Sequence, residues 1–213
     1  QIELHAIGDK AFDQACRAIK AALDDYPRED HRHGIIHDCL PTPEGIQICR
    51  DYHIQMPMQS AFIGWKQEPD DYLEHILGHD RLEKLNPIKT FRDNDIMVSF
   101  GSDAPCTTPD PIAWMDRAVN NDNAGQAVSV QDALRMCTYN GAWAAFDEQE
   151  RGSLEAGKIA DMAVLSENPY TVPKDKLSCL RVERLYLSGK SYESCRESIL
   201  PMMLRGLTSR NKA

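Results

Sequence analysis

The chain has 213 residues, with 33 acidic against 24 basic side chains and a formal net charge of −9. That balance argues against a nucleic-acid partner, because phosphate binding needs a basic face. Hydrophobic residues make up 42%, enough for a packed core, and no apolar run approaches the roughly 18 residues that span a bilayer.

In chain order, Ile2 to His5 reads as a short strand, followed by Asp9 as a cap. A helix then carries Phe12, Ala15, Cys16, Ile19, Ala22 and Leu23 on one face and stops at Pro27. Ile35 to His37 is a second strand; Thr42 and Pro43 open a helix that runs to about Tyr52. Ile54 to Gln59 is a third strand. Residues 61–80, with Gly64, Trp65, Pro69 and Gly78, read as an irregular insertion before a helical stretch over about 80–93.

Ile96 to Phe100 is a fourth strand, apolar almost throughout, as expected where both faces are covered. Thr108, Pro109 and Asp110 start a helix bearing Ile112, Met115 and Val119. Ser129 to Asp132 resembles a capping box, opening a helix with Ala133, Leu134, Cys137 and Gly141 on one side. From Arg151 the composition changes. A turn-rich stretch leads to a strand over Ile159 to Leu165 and another over Val182 to Leu187. A hairpin turn at Ser188-Gly189-Lys190 follows. The organisation is four β/α units over residues 1–150 and a β-rich appendage over residues 151–213.

His5, His37 and Asp103 each follow an apolar run that reads as a strand. In parallel α/β proteins, catalytic and metal-binding residues collect there. Each alone has an ordinary structural reading, as a hydrogen-bonded histidine or a turn cap. Together they occupy one topological position, after the first, second and fourth strands of a sheet whose neighbouring strands lie about 4.8 Å apart, close enough to converge on one ion. Imidazoles and a carboxylate suit a divalent cation, zinc first, which lowers the pKa of bound water and polarises a carbonyl. Asp103 is the candidate proton shuttle. Trp65, in the long loop, is a candidate for lining a substrate pocket. His31, His33 and His53 read as structural, and His75 and His79 lack a His-Glu-x-x-His pattern. Arg81 can pair with an acidic group or stay solvated.

The seven cysteines are scattered without a Cys-x-x-Cys and read as free thiols, mostly buried, of a reducing cytoplasm. The sequence begins with Gln1 rather than Met and reads as starting within a β/α unit, so a signal peptide stays an open question.

His5-Ala6-Ile7-Gly8-Asp9-Lys10-Ala11, Ile36-His37 and Gly101-Ser102-Asp103-Ala104-Pro105 resemble successive motifs of the metal-dependent amidohydrolase superfamily. The likeness is to its N-substituted formamide deformylase-like (amidohydrolase 3) branch. Leu77 to Arg81 resembles its loop before the last barrel helices, and Gly152 to Asp161 its return from barrel to β-sandwich.

The resemblance implies the C-terminal half of a (β/α)8 barrel, strands 5 to 8, followed by a small β-sandwich appendage. It makes His5, His37 and Asp103 metal ligands, with Asp103 also the general base. The remaining ligands would lie upstream of Gln1, around one or two divalent ions in the intact protein. The implied activity is hydrolysis of non-peptide C–N bonds, amide or N-formyl, by metal-bound hydroxide. Asp38-Cys39-Leu40 and Met58-Gln59-Ser60 depart from the family pattern, which leaves the substrate open. The alternative is a catalytically incompetent half-barrel, or a binding module with vestigial ligands. Open sheet edges predict association with a second copy or with the missing N-terminal half.

Overall fold

A computed structural model describes residues 1–192. Its first part alternates strand and helix: β1 (Glu3–Ala6), α1 (Asp9–Asp25), β2 (Gly34–His37), α2 (Pro43–Asp51) and β3 (Met56–Met58). Then come α3 (Asp70–Leu77), α4 (His79–Leu82), α5 (Ile88–Asp93), β4 (Val98–Phe100), α6 (Pro111–Val119), α7 (Val130–Cys137) and α8 (Tyr139–Ala144). β1 pairs with β2 and β3 with β4, both in parallel. A parallel bridge between Gly34 and Gln55 joins the two pairs, with the Ile35 amide donating to the Gln55 carbonyl at 3.0 Å.

The helices form where the pattern places apolar residues and caps. α1 buries Phe12, Ala15, Cys16, Ile19 and Leu23. Thr42 Oγ1 accepts from the Gly45 amide to cap α2, and Asp110 caps α6 with Pro111 in its first turn. Side chains alternate across a strand; on β1, Ala6 is buried in the core while Glu3 and His5 are exposed.

Several elements differ from the sequence expectation. Asp9 begins α1 rather than capping it; Gly8 holds the cap position and makes no side-chain bond. The supposed insertion at 61–80 contains α3 and part of α4. The stretch over 80–93 is divided because Pro87, which has no amide donor, precedes α5. The helix expected from Ser129 to Gly141 breaks at Thr138, whose φ of −128° and ψ of −89° are not helical. There Asn140 Nδ2 donates to the Val98 carbonyl at 2.7 Å, fastening α8 to β4. Cys106 and Cys179 are exposed, and only Cys16 and Cys49 among the described cysteines are fully buried; Cys195 lies outside the described residues.

Beyond α8, β5 (Met162–Leu165), β6 (Val182–Leu187) and β7 (Lys190–Tyr192) form an antiparallel sheet in that order. The β6–β7 turn has positive φ at both Ser188 and Gly189, which matches the right-handed strand twist. Leu177 and Leu180, from the segment between β5 and β6, join the main core.

At the opposite end of the parallel strands, Arg32 ties the start of β2 to the segment after α8. Its guanidinium reaches both oxygens of Glu148, at 2.8 and 2.9 Å, and lies 4.5 Å from the Trp143 ring and 4.1 Å from the Phe146 ring.

Candidate active site

The site begins with a break in pleat. The β1–β2 register pairs Ala6, not His5, with His37. β2 ends at His37, where φ is 80°, and the His37 ring meets the His5 ring edge to face with centroids 4.6 Å apart. Asp38 (φ 49°) and Asp103 (φ 52°) also sit in the left-handed region. Such backbone is held at about 1–3 kcal/mol per residue and gathers at functional sites.

His37 is buried and His5 exposed. Oε1 of Gln59 lies 2.6 Å from Nδ1 of His37. That oxygen can only accept, so the ring proton sits on Nδ1 and Nε2 keeps its lone pair. This is the form in which an imidazole ligates a metal, with its other nitrogen held by a neighbour. The donor chemistry of His37 therefore fits a divalent cation.

Asp103 stands exposed on the loop after β4, its carbonyl accepting from the Cys106 amide at 2.8 Å. Among the described residues no group of three or more His, Cys, Asp or Glu side chains is placed to hold a metal ion. Of the predicted trio, His5 and His37 come together, and Asp103 does not complete a three-membered group with them. Trp65 stacks on Phe62 at 5.0 Å, and Phe62 stacks on His37 at 5.9 Å. Trp65 thus belongs to an aromatic ladder that ends on His37, and it lines a cavity of about 690 Å³.

Two residues escaped the sequence reading as site components. Gln59 orients His37; its signal was a polar residue closing the Met-Pro-Met strand. Asp38 is fully buried and neither carboxylate oxygen has a hydrogen-bond partner. Burial above all, with Cys16 and Glu3 adding, pushes its carboxyl well above the usual carboxylate range. Its signal was an acid inside an otherwise apolar Ile-Ile-His-Asp-Cys-Leu run.

The other histidines are structural or exposed. His31 Nδ1 accepts from the His33 amide, so its Nε2 donates to the Tyr52 carbonyl at 2.8 Å. His79 contacts Glu74 and Glu83 at the surface. Arg81 pairs with Asp9 at 2.9 Å, joining the α4 region to the start of α1.

Parallel strands whose carboxyl ends present imidazoles are the layout of α/β proteins with the site at that edge of the sheet. The chain belongs to the amidohydrolase family (Amidohydro_3), whose pattern matches residues 1–192. It is 26% identical over 201 residues to YtcJ of Bacillus subtilis, named as an amidohydrolase, covering 89% of this chain and 37% of that protein. It is 33% identical over 152 residues to the N-substituted formamide deformylase of Arthrobacter pascens, covering 68% of this chain and 26% of that one. An uncharacterized metal-dependent hydrolase from Pyrococcus furiosus superposes with a TM-score of 0.63 at 26% identity, over 73% of this chain and 31% of that chain. The chain thus spans 26–37% of the length of these curated relatives. No helix among the described residues is long and apolar enough to cross a membrane.

Proposed function

We propose that this chain supplies part of the active site of a metal-dependent hydrolase of non-peptide C–N bonds, amide or N-formyl. In this reading residues 1–150 are strands 5 to 8 of a (β/α)8 barrel and the segment from residue 151 belongs to a β-sandwich appendage, residues 193–213 of that segment lying outside the described residues. The short coverage of the curated relatives supports its being a part of a longer protein. The observation that carries the reading is the His5–His37 pair, with His37 set by Gln59 for ligation through Nε2. The name of the Arthrobacter relative supports the bond type.

His5 and His37 would hold a divalent cation, zinc first, together with ligands from outside this chain. That cation supplies water activation and carbonyl polarisation. Gln59 holds the proton on Nδ1 of His37 and fixes the ring. Asp103 takes the proton of the attacking water and passes it to the leaving nitrogen. Trp65 lines the side of the site where substrate lies. A reducing, cytoplasmic setting belongs to the same proposal, on the ground of seven scattered cysteines without a Cys-x-x-Cys.

A second reading rests on Asp103 not completing a three-membered group with the imidazoles among the described residues: a half-barrel that is incompetent alone and associates through its open strand edges. Metal analysis and N-formyl amide turnover of the whole gene product decide between them. Stoichiometric metal with turnover supports the hydrolase. A whole protein that takes up no divalent metal under any loading condition overturns it.

A further inference from the structure

The cavity of about 690 Å³ lies between the loop after β3 and the loop after β4. It is open to solvent on one side, and its volume is within the range of small-ligand clefts. Both walls lead back to the proposed site. Ala104 and Pro105 follow Asp103 directly, and Trp65 connects through Phe62 to His37. The charged residues lining it are Lys66 and Arg117, both cationic, in a chain with nine more acids than bases. Among the described residues neither cation forms an ion pair within 4.0 Å, and the Asp122 carboxylate stands beside the Arg117 guanidinium across Gly64 without closing to that distance.

Arg117 is half-buried and closely seated. Gly64, with φ of 63°, lacks the Cβ that would press to 3.0 Å from Arg117 Nη1 and 2.9 Å from Asp122 Oδ2. Glycine there lets the loop close over the guanidinium. The remaining lining is largely apolar or flat: Trp65, Ala104, Pro105 and Pro109.

We propose that this cavity is a subsite for a planar substrate portion bearing an anionic group, with Trp65 against the flat face and Arg117 and Lys66 on the charge. A guanidinium presents paired donors to a carboxylate or phosphate, and a partly desolvated cation holds such a group more strongly than a solvated one. The assignment deepens the hydrolase reading and rests on it for calling the ligand a substrate. The substrate class is then an amide with an aryl carboxylate or aryl phosphate on one side of the scissile bond.

The test is titration of the full chain with benzoate, benzamide and inorganic phosphate, followed by calorimetry and by the Trp65 indole signal in NMR. Benzoate is expected to shift that signal saturably and to bind about tenfold more tightly than benzamide. Arg117→Gln should weaken benzoate about tenfold while leaving benzamide unchanged, and Arg117→Lys should keep part of the preference. Lys66→Gln, at an exposed position, should give a smaller, salt-sensitive loss without affecting folding. Phosphate binding alone, without benzoate, would reduce the site to an anion contact and overturn the planar assignment. Equal binding of benzoate and benzamide, or benzoate affinity untouched by either variant, overturns the proposal. Metal loading is read separately: preference for benzoate in a whole protein that takes up no metal sinks the hydrolase reading and leaves the anion subsite standing.

Discussion

Nδ1 of His37 donates to Oε1 of Gln59 at 2.6 Å, so a residue of β2's end is oriented by the residue that follows β3. The bond fixes both tautomer and ring plane. Gln59→Leu should lower divalent-metal affinity of the whole protein about 10- to 100-fold, the usual loss when a ligand's outer partner is removed. Gln59→Glu, which still accepts from Nδ1, should recover most of it. Competition with a chromophoric chelator measures both. A Gln59→Leu protein with undiminished affinity would remove His37 from the ligand set.

Asp103→Asn keeps the size of the side chain and removes its basicity. Turnover of the whole protein should fall by about a hundred- to ten-thousandfold, with bound metal largely retained. Steady-state kinetics beside elemental analysis gives both quantities. Unchanged turnover rules out the proton role, and loss of metal in proportion to turnover would recast Asp103 as a ligand alone.

The parallel strands, their order along the chain and the amphipathic helices were legible because apolar periodicity and caps are local signals. Phe12, Ala15, Cys16, Ile19 and Leu23 are buried as their spacing implied, whereas Ala22, assigned to the same face, is exposed. The break at Thr138 was not legible: it goes with an Asn140 bond to Val98, 42 positions away. The site divides the same way. His5 and His37 were singled out as candidates by their position after strands, and the structure brings their rings together. Their contact, however, depends on a positive φ at His37, which no side-chain pattern announces. Gln59 was passed over because its role exists only across strands. Asp38 was read as a departure from a family pattern, and its burial is a tertiary fact.

Gly45 on α2 lies against Phe12 of α1. A Cβ there would come 2.3 Å from Phe12 Cε1 and 2.6 Å from Cδ1. The Phe12 ring is fully buried and tilts against Phe91 with centroids 6.2 Å apart, so it has little room to yield. Gly45→Ala should destabilise the fold by about 1–3 kcal/mol despite alanine's better helix propensity. In Phe12→Leu, adding Gly45→Ala should cost less, a coupling that a double-mutant cycle in urea reads directly. Additive losses would show that the helices separate rather than repack.

Arg32 is 7% exposed and its main carboxylate partner, Glu148, is itself largely covered, whereas Asp30 is solvated. Breaking the covered pair by Glu148→Gln should cost about 1–3 kcal/mol at neutral pH, because the covered guanidinium loses its charged hydrogen-bond partner and keeps only the solvated Asp30, at 2.7 and 3.0 Å. Hydrogen bonding from Arg32 holds the Glu148 carboxyl below its usual range. A carboxyl lowered in the folded state stabilises above its unfolded value, about 4.3, and that contribution is lost as pH falls through the lowered folded value. The stability gap between the native chain and Glu148→Gln should therefore be full at neutral pH and narrow below about pH 4. Urea unfolding at a series of pH values measures it. A gap that stays constant into the acid range would mean that the Glu148 side chain acts through packing on Arg32 rather than through its charge.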